Sequence, residues 1–195
     1  MELVPLIYVK NRKIHAEKDG KDISLDEVLE RISKDRKIYV LDIDGIEKNK
    51  PNLCLYPKLS EHYEIWVDAG PRVLGDIVDM VMAGASNITV RKNLRHELEI
   101  PSIKDITERG IYVDVDLKSH NVRNIDFSLF QGVDGAVIFN DKNLIKGDFK
   151  SGGFLKSLCT RYKIYAYEPN PKDFSYWKTL GVTGILVDIS KAEEF

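Results

Sequence analysis

A chain of 195 residues, 43% hydrophobic and 31% charged, has the composition of one soluble globular domain and can bury a sizeable core. A net charge of −2, with no Lys/Arg cluster interleaved with aromatics, argues against a nucleic-acid partner. No run approaches the roughly 20 apolar residues that span a bilayer. MELVPLIYVK lacks the basic region and long apolar core of a secretory signal, so a cytoplasmic protein with no membrane partner is expected.

In chain order, the apolar run Val4–Val9 reads as a strand. Ser24 with Glu27 three residues on predicts a capping box, and Leu25, Val28, Leu29 and Ile32 line one helical face. Ile38–Ile43 is the second strand, followed by a polar, Pro-containing loop, Gly45–Asn52, and a short helix near Leu53–Ser60. The stretch Tyr63–Asn93 is the clearest unit. Ile65–Val67 form a strand closed by Asp68-Ala69-Gly70-Pro71, and Leu74, Ile77, Val78, Val81 and Met82 then recur at helical spacing up to Gly84. Ile88–Val90 start the next strand, and a helical crossover between two buried strands forces a parallel pair. A short helix near Ile103–Thr107 precedes strand five, Ile111–Leu117; a brief helix over Ile125–Phe130 precedes strand six, Ala136–Phe139. A helix near Phe154–Tyr162 follows the glycines Gly147, Gly152 and Gly153. Strand Lys163–Tyr167, helix Pro171–Leu180 and strand Ile185–Val187 complete the series.

Eight strands, each mostly followed by a short helix, predict an α/β fold: a single-domain (β/α)8 TIM barrel, small, with short or missing helices. Only seven residues follow Asp188, so the last helix is expected to be a stump. An open doubly wound sheet is the alternative. Tyr63–Trp66 is similar to Tyr162–Tyr165, and Ala83–Val90 to Leu180–Val187, which suits a barrel of two similar halves or chance likeness between βαβ units. Glutamine occurs once, at Gln131, a thermophile-like bias. Cys54 and Cys159 read as buried free thiols, with a disulfide or a nucleophile as the alternatives, and His15, His62, His96 and His120 lack metal-ligand spacing.

Several stretches together resemble one family. They are Val4–Lys10 with Lys13, Tyr39–Gly45, Asp68–Arg72 with Asp76-Ile77, Ala83–Ala85, Val113–Lys118 and Leu180–Gly184. On these the chain is similar to the histidine-biosynthesis isomerase and cyclase barrels, especially the phosphoribosyl-formimino-aminoimidazole-carboxamide ribotide isomerase. It looks closest to the diverged relatives of methane-producing archaea and methylotrophs that are linked to one-carbon cofactor biosynthesis. The resemblance implies an aldose-to-ketose rearrangement run by two carboxylates, closing strands one and five. Asp116 matches the strand-five carboxylate, whereas Tyr8 stands in place of the strand-one carboxylate. The family's phosphate-binding glycines are also replaced. The strand-three turn keeps Gly70 but gains Pro71, which has no N–H to donate; strand four ends in Arg91-Lys92, strand seven in Glu168-Pro169 and strand eight in Asp188. The authentic isomerase reaction is therefore not expected.

Barrel active sites lie at the C-terminal ends of the strands. Reading those ends gives Asp116, Asp68, Asp42 and Tyr8 as catalytic candidates, and Lys10, Gly70, Arg72, Arg91, Lys118 and Glu168 as substrate-binding candidates. Asp44, Asp114, Asn140, Asp141 and Asp188 fall at the same mouth. These carboxylates suit acid–base chemistry or a divalent cation, or they cap turns and helices. Arg72, at a helix start where a cation is disfavoured, is expected to pair with an anion or with Asp68. Two readings follow: an isomerase- or lyase-type enzyme acting on a small phosphorylated or carboxylated metabolite without a cofactor, or a non-catalytic barrel that binds a metabolite or partner. A homodimer is expected in either case.

Overall fold

The computed structural model describes residues 1–94, 98–115, 130–139 and 149–191. The apolar runs form β1 (Glu2–Lys10), β4 (Lys37–Asp42), β5 (Glu64–Asp68), β6 (Asn87–Val90), β7 (Gly110–Asp114), β8 (Gly135–Ile138), β9 (Lys163–Tyr167) and β10 (Gly184–Asp188). These strands pair in parallel in chain order, and β10 pairs back onto β1, Glu2 opposite Gly184 through Leu6 opposite Asp188. The result is a closed eight-stranded parallel barrel with helices between strands, a TIM-like α/β barrel. Closure rules out the open doubly wound sheet.

The helices follow the periodic segments. α1 (Leu25–Arg31) carries the expected capping box: Glu27 N–H donates to Ser24 Oγ at 3.2 Å, and Ser24 N–H to Glu27 Oε2 at 2.7 Å. α3 (Tyr56–Ser60), α4 (Leu74–Met82), α5 (Ile100–Ile106), α6 (Phe149–Cys159) and α7 (Phe174–Leu180, after a 3₁₀ turn at Pro171–Asp173) pack outside the sheet.

Four local features differ from the sequence reading. β2 (Lys13–His15) and β3 (Asp22–Ile23) extend β1 into an antiparallel hairpin. Its turn places Asn11 at φ 51° and Arg12 at φ 61°, the doubly left-handed geometry of a two-residue hairpin. Gly normally marks the second position, so Asn-Arg hides the turn. α2 (Ile43–Lys48) occupies much of the expected polar loop, started by Asp42, whose side chain accepts from Gly45 N–H, and ended by Asn49 at φ 54°. α6 runs through Gly152 and Gly153 instead of following them. Cys54 is exposed and Cys159 half-buried, both free, so the apolar neighbours of Cys54 do not bury it. The brief helix expected over Ile125–Phe130 lies, apart from Phe130, outside the described residues, as do Gly147 and the end of the expected strand Ile111–Leu117.

Alternation along each strand divides the core in two. Ile7, Val9, Ile38, Val40, Ile65, Val67, Ile88 and Ile164 face the helices. Val4, Leu6, Tyr8, Tyr39, Leu41, Trp66, Tyr112, Val137, Tyr165 and Leu186 fill the barrel. The Trp66 ring centroid lies 4.0 Å from Tyr112, 4.8 Å from Tyr165 and 5.1 Å from Tyr39, so the interior is aromatic and packed. Trp66 and Trp177 are both fully buried, as core residues.

Candidate functional site at the barrel mouth

The C-terminal mouth is built by adding two residues to each inward core position. Leu6 leads to Tyr8, Trp66 to Asp68, Thr89 to Arg91, Tyr112 to Asp114, Val137 to Phe139, Tyr165 to Tyr167 and Leu186 to Asp188. Two polar clusters result.

The first centres on Asp68, which is fully buried. Arg91 donates to it from Nε at 2.9 Å and from Nη2 at 2.7 Å, and Tyr39 OH donates at 2.8 Å. The Tyr39 hydroxyl also meets Thr89 Oγ1 at 3.0 Å, and Trp66 Nε1–H donates to that oxygen at 2.9 Å. The Arg91 guanidinium lies 5.8 Å from the Phe139 ring centroid. Burial, and then the negative charge of Asp68, drives the Tyr39 phenol well above its ordinary pKa, so it stays a neutral donor.

The second cluster joins three strands that are neighbours around the closure, β9, β10 and β1. Tyr8 OH donates to Asp188 Oδ1 at 2.8 Å, and Tyr167 OH donates to Oδ2 at 2.9 Å. Asp188 is 4% exposed. Burial raises its pKa above the usual carboxylate value, opposed by the two phenolic hydrogen bonds. The Tyr8 phenol is pushed far above its ordinary value by burial, and Tyr167 is pushed up to about 12, also chiefly by burial. The arrangement is a poorly hydrated carboxyl between two protonated phenols. Lys10 follows Tyr8 by two residues on the same strand face and is half-buried.

The remaining sequence candidates separate from these clusters. Asp42 has the register of Ile38 and Val40, so it faces the helices, on the opposite side of the barrel wall from Asp68. There it accepts from Gly45 N–H at 3.0 Å, Asn52 N–H at 2.6 Å, Asn52 Nδ2 at 2.8 Å and Tyr56 OH at 2.6 Å, the bonding of a helix cap. Glu168 likewise shares the outward register of Ile164 and Ala166 and accepts from Trp177 Nε1 at 3.1 Å. Arg72 donates to the carbonyls of Gly45 at 3.2 Å, Ile46 at 3.0 Å and Gly70 at 3.2 Å, and to Asn49 Oδ1 at 2.6 Å. It fastens the end of β5 to the last turn of α2 rather than pairing with Asp68. Gly70 has φ 62°, and a Cβ there would meet Leu94 Cδ1 at 2.6 Å and Ile46 Cα at 3.2 Å. This glycine is required by backbone conformation and helix packing. Asp114 accepts from Lys92 N–H at 2.6 Å. Asp116 and Lys118, with Asn140 and Asp141, lie outside the described residues.

Among the described residues, no three His, Cys, Asp or Glu side chains are grouped to hold a metal ion, and no helix is long and apolar enough to cross a membrane. The feature missing from the sequence reading is the Tyr8–Asp188–Tyr167 cluster. Asp188 falls among the mouth carboxylates read from the strand ends; the signal for its pairing with two tyrosines is the shared inward register of positions 8, 167 and 188 on neighbouring strands. Compared with known proteins, the chain matches no family model and no curated sequence.

Proposed function

We propose that the chain is a diverged (β/α)8 barrel of the histidine-biosynthesis type that acts on a small phosphorylated or carboxylated metabolite at its C-terminal mouth, by isomerase- or lyase-type proton transfer. The observation that carries this reading is Asp188 held between Tyr8 and Tyr167. The family's strand-one carboxylate is replaced by Tyr8, yet a carboxylate stands 2.8 Å from that tyrosine, supplied by the neighbouring strand. A carboxyl with a raised pKa exchanges protons nearer to neutrality than an ordinary Asp, and the two phenols that donate to it stabilise the negative charge it takes on when it gives up its proton. Lys10, on the same face, supplies positive charge for the substrate's anionic group. Asp116 is assigned as the partner acid–base group through the resemblance alone. A homodimer is part of this reading, supported by Leu74, Val78 and Met82, which recur every four residues along α4 and are all exposed; light scattering tests it.

A binding screen by thermal shift over phosphoribosyl compounds and small carboxylic acids, with Asp188→Asn as control, tests the proposal. The second reading, a non-catalytic binding barrel, is favoured by one observation: Asp68 and Arg91 neutralise each other through two hydrogen bonds. A metabolite that binds the wild type and Asp188→Asn equally well, with no turnover, selects it.

A further inference from the structure

We propose that a cleft beside the barrel, between the β1–β2 turn and residues 48–54, is a binding site for a small phosphate monoester held by Arg12 and Lys50. The cleft encloses about 480 Å³, within the range of small-molecule sites. Arg12, Lys48 and Lys50 line it with three positive charges and Asp44 with one negative charge. Asp44 is committed: it accepts from Lys48 Nζ at 2.7 Å and from Asn52 Nδ2 at 3.2 Å. The net charge of +2 matches a phosphate monoester dianion. Among the described residues, the Arg12 guanidinium and the Lys50 ammonium have no hydrogen-bond or ion-pair partner. Leu53 adds an apolar wall for the organic part of the ester.

The turn supplies an independent reason. Arg12 stands at φ 61°, where Gly is the favoured residue and a side chain costs about 1 kcal/mol. The backbone is held there by Arg12 N–H donating to Asn52 Oδ1 at 2.8 Å and Asn11 N–H to Asp44 Oδ2 at 2.5 Å. Those two bonds would hold a glycine equally well. The arginine side chain therefore has no part in making the turn; Arg12 lines the cleft, and its planar fork is the geometry that matches phosphate. No residue of the mouth clusters lines this cleft, so the inference stands or falls separately from the reading of Asp188.

Exposed Cys54 lines the same cleft and reports on it, while half-buried Cys159 is an internal reference. Alkylation by iodoacetamide is followed at both thiols by mass spectrometry, with phenyl phosphate, inorganic phosphate or sodium chloride at equal ionic strength. Phenyl phosphate at about ten times its Kd is expected to slow alkylation of Cys54 about tenfold and leave Cys159 unchanged. Inorganic phosphate is expected to protect less. Arg12→Gly, which suits the left-handed turn, and Lys50→Ala are each expected to remove the protection without lowering Tm. Protection no greater than that given by sodium chloride, or protection that survives in both variants, would overturn the site. Equal protection by inorganic phosphate at equal concentration would overturn the assignment to an ester.

Discussion

Asp188 on β10 and Tyr8 on β1 meet at 2.8 Å across the pairing that closes the barrel. The contact ties the acid–base group of the proposed site to the closure of the fold, and it gives that group a pH signature. Burial raises the Asp188 pKa, so the folded protein holds this proton more tightly than the unfolded chain, where the pKa is about 3.9. The linkage slope is then negative: stability present below the unfolded pKa is lost as pH rises through the folded value. Asp188→Asn removes that loss, because an amide still meets both phenols. Urea unfolding across the acid-to-neutral range checks this, with the variant gaining on the wild type as pH rises above about 4. A difference that stays constant with pH would contradict it.

Asp44 has the opposite sign. Burial pushes its pKa up, but hydrogen bonds from Lys48, Asn11 N–H and Asn52 outweigh that and hold it at about 2. Its contribution is present above the unfolded value of about 3.9 and is lost as pH falls towards the folded one. In the same urea series, Asp44→Asn should be less stable than the wild type at neutral pH, with the deficit shrinking as pH drops below about 4.

Arg91 and Asp68 form a pair that is costly to break and cheap to remove. Arg91→Met leaves a fully buried carboxylate without its cation and should cost about 3–5 kcal/mol in urea unfolding at neutral pH. Combining it with Asp68→Leu should restore most of that loss, since an apolar pair needs no desolvation. A double variant as unstable as Arg91→Met alone would show that the loss comes from packing instead of charge.

Two glycines near α4 should respond oppositely to alanine. Gly70→Ala forces a Cβ into Leu94 and Ile46 at φ 62° and should destabilise by more than about 1 kcal/mol. Gly75, inside α4, has open space where its Cβ would go, so Gly75→Ala should stabilise by about 0.5–1 kcal/mol. Thermal unfolding of the two variants compares them directly.

Much of the barrel was legible because its strands are short apolar runs separated by turn residues, as in Ile65–Val67 before Asp68-Ala69-Gly70-Pro71. The β1–β2 hairpin was not, because its turn uses Asn11-Arg12 where Gly would announce it. α2 was hidden in a polar loop because its start depends on Asp42, a residue that reads equally well as a catalytic carboxylate. Strand ends located Asp68, Arg91, Tyr8 and Asp188 but did not sort them. The inward register of Trp66 and Leu186 puts Asp68 and Asp188 in the mouth, while that of Ile38 and Val40 turns Asp42 outward. Which carboxylate meets which donor depends on neighbouring strands in three dimensions, and no spacing within one strand carries that.

The central claim, a metabolite bound at the mouth through Asp188, is tested most directly by calorimetric titration of the best compound from the thermal-shift screen into the wild type and Asp188→Asn. Saturable binding to the wild type is expected, with a loss of at least about tenfold in affinity, or 1.4 kcal/mol, in the variant. Equal affinity in the two proteins would contradict it.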